Sequence, residues 1–184
     1  MKIAITGVHS SGKTTLAKQC SEHFGLKLVR GDTIREIIRK YFPGKSYRSL
    51  TKEEYWKLEN IGLAERIRAE KSCGAFVSDG CTLNSIAYAR AEIGDEVVRL
   101  EGYTEFCNLA RNNARYYDFI IYLPPEIPLT DDGFRPLDSE FRSRVDQILL
   151  EIFNDYTFYT VKGSVKERLE QVERIIGAEK KARD

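Results

Sequence analysis

The sequence predicts an α/β fold, a parallel sheet covered by helices on both faces, and three observations carry that prediction. Five short apolar runs punctuate the chain. The segments between them repeat their apolar residues at helical spacing, and strands alternating with helices of this length pair in parallel. The third observation is the octapeptide GVHSSGKT at positions 7–14, which matches G-x-x-x-x-G-K-[ST]. It stands between a strand-like run and a helical pattern, the context that a phosphate-binding P-loop needs. Its four fixed positions arise by accident in roughly one chain in a hundred of this length.

The elements follow in order. Lys2-Ile3-Ala4-Ile5-Thr6 is the first strand, and the helix after the loop sets Leu16 and Cys20 four apart. The second run covers 26–30 and ends toward Arg30-Gly31-Asp32. The third, 75–79, ends in Asp79 before Gly80; the fourth is 119–123 and the fifth about 157–161. Thr51 with Glu54, and Ser164 with Glu167, have capping-box spacing and open helices. Tyr103, Phe106, Cys107, Ala110 and Ala114 share one helical face, as do Val165, Leu169, Val172 and Ile176. Residues 124–137 break the alternation. Pro124-Pro125 stops the fourth strand, and Thr130-Asp131-Asp132-Gly133 is turn chemistry. Asp138 then caps a helix that turns Phe141, Val145, Ile148, Leu149 and Ile152 inward. The polar, arginine-bearing loop between is the expected lid. No repeat or low-complexity linker intervenes, so one domain over 1–184 is expected.

Composition narrows the function classes. Lys plus Arg number 29 against 28 Asp plus Glu, so no global field draws the chain to nucleic acid or anionic lipid. The basic cluster Lys180-Lys181-Ala182-Arg183 reads as a solvated helix end. Apolar runs fall short of membrane-spanning length, and the first strand begins at residue 2, without a signal-peptide pattern. Cys20, Cys73, Cys81 and Cys107 are widely spaced with no CxxC pair, so reduced thiols are expected and a zinc site is not. The expected location is the cytoplasm.

The residue types of the loop assign a nucleoside triphosphate and Mg²⁺. Lys13 is expected to reach the β- and γ-phosphates, and the Thr14 hydroxyl to coordinate the metal. Gly7 and Gly12 allow the turn and the close backbone approach, while His9, Ser10, Ser11 and Thr15 complete the cradle at the helix N-terminus. Asp79 lies at the C-terminal edge of the sheet, where α/β ligands bind. It either holds a metal-bound water or accepts a proton from an attacking hydroxyl, unless it only caps the helix near Thr82. Arg135, Arg142 and Arg144 cluster in and after the lid, where guanidinium groups stabilise a transferring phosphoryl group. Two apart on a helix, Arg142 and Arg144 point differently, so one of them is expected at the site and the other in salt bridges.

The acceptor side is less specific. Asp32 follows strand two, and Arg35 and Arg39 share a helical face; they either clamp an anion or form a wet face with Glu36 and Lys40. Tyr41, Phe42, Tyr47 and Trp56 offer area for stacking on a base or, equally, for a core. Gly163, in Val161-Lys162-Gly163-Ser164, permits close approach of an adenine ring or simply leads into the last helix.

These residues together resemble a family. GVHSSGKTTLAKQ, Thr33-Ile34-Arg35-Glu36, SDGCTLNSIAYAR, YDFIIYLPPEIPLTDDGFRPLDSEFRSRVD and VKGSVKERL span nearly the whole chain. They are similar to small P-loop kinases, above all the nicotinamide riboside kinase domain of bifunctional NAD-biosynthesis regulators and its single-domain ATPase relatives. Thymidylate and other nucleoside monophosphate kinases are more distantly similar. The resemblance implies a five-stranded sheet of order 2-3-1-4-5, ATP and Mg²⁺ as donor, and a mobile lid. It makes Lys13 and Thr14 the donor site, places Arg35 on the acceptor side and puts Arg135 and Arg142 at the lid. One departure stands out. Relatives often follow the acidic residue with arginine, and this chain has Gly80, so a contact to acceptor or phosphate is expected to be missing.

The function expected is ATP-dependent phosphorylation of a nucleoside, nucleotide or related ribosyl compound. The alternatives are an ATPase switch and a polynucleotide 5′-kinase, the latter opposed by the balanced charge. No Asn-Lys-x-Asp, DxxG switch or LSGGQ-type motif occurs, and the chain is short for an appended helical domain of the AAA kind.

Overall fold

The computed structural model describes residues 1–129 and 138–183, apart from the side chains at 180 and 183. Five strands form one sheet: β1 (Lys2–Gly7), β2 (Lys27–Val29), β3 (Phe76–Asp79), β4 (Phe119–Leu123) and β5 (Tyr159–Thr160). The order is β2-β3-β1-β4-β5, and every neighbouring pair is parallel. β1, the strand that delivers the loop, lies at the centre, with Ile5 opposite Asp79 on one side and Ile121 on the other.

Among the described residues seven α-helices connect or flank the strands: α1 (Lys13–Phe24), α2 (Ile34–Tyr41), α3 (Lys52–Lys71), α4 (Thr82–Ile93), α5 (Tyr103–Ala114), α6 (Ser139–Phe153) and α7 (Val165–Arg183). Strand side chains alternate between faces. Ile3, Ile5, Val77, Phe119, Ile121 and Leu123 pack with Leu16, Ala17 and Cys20 of α1 and Val172 and Ile176 of α7. Ala4, Phe76, Ile120 and Tyr122 face the larger cluster that α2 to α6 supply. Both faces of the sheet are therefore covered, as parallel strands require.

Local chemistry sets the helix starts. Thr51 and Glu54 close a reciprocal capping box, Ser164 and Glu167 another, and Asp138 Oδ1 accepts from the Phe141 N–H at 2.8 Å. Thr33 and Glu36 form a further box at α2 that the sequence reading passed over. The edge strands are shorter than the apolar runs suggest. β5 has one partner, β4, and pairs through Tyr159 and Thr160 alone. All four cysteines are free thiols, Cys20 and Cys81 being buried. Burial pushes both thiols up to about 12. Among the described residues no helix is long and apolar enough to cross a membrane.

Candidate active site

The loop between β1 and α1 is a backbone structure before it is anything else. Gly7 adopts φ 140°, and a Cβ there would lie 2.4 Å from the Leu123 carbonyl oxygen on β4. Gly12 and Ser10 are also left-handed. The first turn of α1 has no side-chain cap, which leaves the N-terminal N–H groups to solvent or an anion. Lys13 reaches back over the loop and donates to the Val8 carbonyl at 2.6 Å. Thr14 and Thr15 are exposed on the first turn, whereas His9 and Ser11 are buried. The Ser11 hydroxyl has no hydrogen-bond partner among the described residues.

Two buried arginines brace this loop. Arg142, 7% exposed, donates from Nη1 to the Ile127 carbonyl at 2.8 Å and from Nη2 to the Ser10 carbonyl at 3.3 Å. Burial lowers its pKa from the ordinary value, and burial likewise raises that of Asp146 beside it, which accepts from the Tyr122 hydroxyl. Arg168 of α7, 2% exposed, donates to the Ser11 carbonyl at 2.8 Å and to Glu126 at 3.0 Å. Glu126 also accepts from the Gly163 N–H at 3.1 Å. Gly163 is thus tied to the loop through Glu126 and Arg168. Arg144 is exposed and lies over the Phe141 ring, 5.6 Å from its centroid. Of the two helical arginines, Arg142 is the one at the loop.

On the other side of Lys13 a cavity of about 200 Å³ opens between α2, α3 and α4. Gly7 and Lys13 line one end, with Asp32, Glu59, Arg66 and Asp79 along the walls. Asp79 ends β3 beside β1, and it does not cap α4. Cys81 holds that position, its N–H bonded to Asn84 Oδ1 at 3.1 Å. Arg35 is exposed on α2 and outside the cavity lining. Tyr47 is core, its hydroxyl bonded to Glu92, and Trp56 packs on Tyr103 and Phe106. The aromatic side chain that does line the cavity is Tyr88. Arg135 and the Thr130–Gly133 turn lie outside the described residues, as does most of the expected lid.

A family model described as an AAA domain matches residues 2–168. The chain belongs to the AAA domain family. Its fold is shared with solved structures. Deoxyadenosine kinase from M. mycoides with bound dCTP superposes with a TM-score of 0.71 at 19% identity, covering 97% of this chain and 100% of that one. Thymidylate kinase from Candida albicans gives 0.65 at 21%, covering 97% and 92%. The NadR protein in complex with NR gives 0.64 at 18%, covering 89% of this chain and 46% of NadR, so this chain spans less than half the length of that protein. At these identities the likeness is one of fold. No curated protein matches the chain in sequence. The resemblance expected from the motifs is therefore found.

Several residues of this AAA domain's site were missed by sequence reasoning. Asn84 bonds the Gly7 carbonyl at 3.0 Å and accepts from the Thr6 hydroxyl at 2.7 Å, stitching β1 to α4. One turn on, the Tyr88 hydroxyl accepts from the His9 N–H at 2.9 Å. Their i, i+4 spacing in LNSIAY was the available signal. Arg66 of α3 bonds Ser78 and the Asp79 carbonyl. Its signal was the polar series Glu59, Gly62, Arg66, Glu70 on the inner face of a helix.

Proposed function

We propose that this chain is an ATP-dependent small-molecule kinase, transferring the γ-phosphoryl group to a nucleoside, nucleotide or related ribosyl compound. One observation carries the reading. A single cavity joins the Gly7 and Lys13 end of the phosphate loop to a walled space bearing Asp32 and Asp79. An enzyme that only hydrolyses ATP has no need of a second site next to the phosphate loop; a kinase does.

In this reading Gly7, His9, Ser10, Ser11, Gly12 and Thr15 shape the donor cradle, and Lys13 leaves the Val8 carbonyl for the β- and γ-phosphates. Gly163, across Glu126 and Arg168 from the loop, borders the adenine. Among the described residues no three acidic, His or Cys side chains converge on a metal position. Mg²⁺ takes few protein ligands and is held largely by phosphates and water. Thr14 and Asp79 are the oxygen donors that would hold it, and it would supply charge neutralisation on the phosphates. Arg142 and Arg135 serve the transferring group and Asp32 the acceptor, while Arg35, outside the cavity lining, would reach the acceptor only from the rim.

The test is ADP formation from Mg·ATP, alone and with nucleosides, nucleoside monophosphates, nicotinamide riboside and 5′-hydroxyl oligonucleotides. A phosphorylated product of the right mass is expected, abolished in Lys13→Ala and cut at least 100-fold in Asp79→Asn. Intact turnover in both variants would remove the site. The AAA description of the family favours one second reading, an ATPase switch. Steady hydrolysis that no acceptor changes is its signature.

A further inference from the structure

We propose that Arg66 binds the phosphate of the acceptor, which makes the preferred substrate a nucleoside monophosphate rather than a nucleoside. The inference rests on the kinase reading and deepens it.

Three features place this guanidinium. Gly80, at φ 118°, has no side chain, and a Cβ there would lie 2.6 Å from Arg66 Nη2. Gly31 lies against the Arg66 backbone, its own missing Cβ 3.3 Å away. The absent side chain at position 80 leaves the space that an arginine from α3 fills. Nη1 is then fixed by Ser78 Oγ at 3.2 Å and the Asp79 carbonyl at 3.0 Å. Ser78 in turn donates to Glu70 at 2.6 Å, and Glu70 accepts from Asn113 and Tyr117. This buried carboxylate balances the cation through one intervening hydroxyl and orients it without occupying its fork.

The remaining donors are what matter. Among the described residues, Nη2 and Nε of Arg66 have no hydrogen-bond partner and no carboxylate pairs with the guanidinium, though the side chain lines the cavity. Arg30, the other arginine of the lining, is paired with Glu36. A fixed, partly buried guanidinium with a free edge is built for a planar pair of anionic oxygens.

Its position selects the reacting group. Arg66 sits over Gly80, whose N–H bonds the Ile5 carbonyl of β1, and Arg66, Asp79 and Gly80 line the same cavity as Gly7 and Lys13 of the loop. Asp32 and Glu59, which repel a phosphate and accept from hydroxyl or amine donors, also line the space. An anionic group at the Arg66 end is therefore the acceptor itself. Its ionised oxygen attacks the γ-phosphorus of ATP, the bond to the β–γ bridging oxygen breaks, and ADP leaves with the electron pair. No base is needed, because the nucleophile carries no proton. The products are ADP and a nucleoside diphosphate.

The experiment compares wild type with Arg66→Met and Arg66→Lys, using dAMP, dCMP, dGMP and dTMP beside the four parent nucleosides. Calorimetric binding and turnover are both read, with ATP affinity and thermal unfolding as checks on folding. Wild type is expected to bind and phosphorylate one monophosphate in preference to its nucleoside. Arg66→Met should weaken that monophosphate on the order of 100-fold with ATP affinity unchanged, and Arg66→Lys should fall between. Preference for the nucleoside, or equal loss on nucleoside and monophosphate, overturns the proposal and leaves the kinase reading standing. If nothing is phosphorylated, the kinase reading fails, and binding decides on Arg66. Monophosphate binding that is absent or unmoved by Arg66→Met overturns its role as well.

Discussion

Arg168 of α7 and Ser11 of the phosphate loop, 157 positions apart, are joined by a hydrogen bond of 2.8 Å between a buried guanidinium and a backbone carbonyl. The last helix thereby fixes the height of the loop that the first strand delivers. The same guanidinium holds Glu126 at 3.0 Å, so three chain segments meet on one side chain. Arg168→Met keeps much of the apolar stem and strands both acceptors. The expected loss is about 1–3 kcal/mol of stability in urea unfolding. ATP should bind at least tenfold more weakly while acceptor affinity stays within twofold. An unchanged ATP affinity would make Arg168 a packing residue and no more.

Gly7 tests the loop from the other side. Its φ of 140° and the Leu123 carbonyl 2.4 Å from any added Cβ leave no room that a rotamer change could restore, because the obstruction is backbone in a central strand. Gly7→Ala should cost about 3 kcal/mol, near 10 °C in Tm for a chain of this size. Differential scanning calorimetry reads this directly. A Tm within a degree of wild type would mean that the loop relaxes where the geometry says it cannot.

Acid should loosen the Glu126 clasp. The Gly163 N–H, and after it the Arg168 guanidinium, hold this carboxyl below the usual carboxylate range. A folded value below the unfolded one stabilises the fold above the unfolded pKa, about 4.3 for Glu, and that contribution fades as pH falls through the folded value. Glu126→Gln is expected to melt a few degrees below wild type at pH 7, and the two should converge by about pH 3. Because Glu126 is more than a third exposed, solvent keeps the effect small. A gap that stays constant across this range would show that lost shape, not lost charge, destabilises the variant.

The strands and the helix starts were legible because each apolar run and each capping pair announces itself locally, whereas the strand order came only with the family resemblance. Thr51, Asp138 and Ser164 needed only a residue three positions on. The loop was legible for the same reason, being eight consecutive residues. Arg66, Asn84 and Arg168 were not, since their partners are brought by topology: Ser78 is 12 positions from Arg66, Gly7 is 77 from Asn84 and Ser11 is 157 from Arg168. Gly80 shows the difference most clearly. Read along the chain it is an arginine that is missing; in space it is the gap through which an arginine from another helix arrives.

The pair Arg142 and Arg144 allows the sharpest test of side-chain direction. Both are on α6, two residues apart, and their charge and helix propensity are the same. Arg142 is buried against the Ser10 and Ile127 carbonyls; Arg144 is in solvent over the Phe141 ring. Removing an exposed cation over a ring costs at most about 1 kcal/mol. Removing Arg142 leaves two carbonyls without a donor and takes a cation from the edge of the loop. Arg142→Ala is therefore expected to reduce kcat/KM for ATP by at least 100-fold, whereas Arg144→Ala should stay within threefold of wild type. Steady-state kinetics on the two variants separate these outcomes. Equal effects would mean that α6 turns as a whole when nucleotide binds, and that the unliganded direction of its arginines does not predict their use.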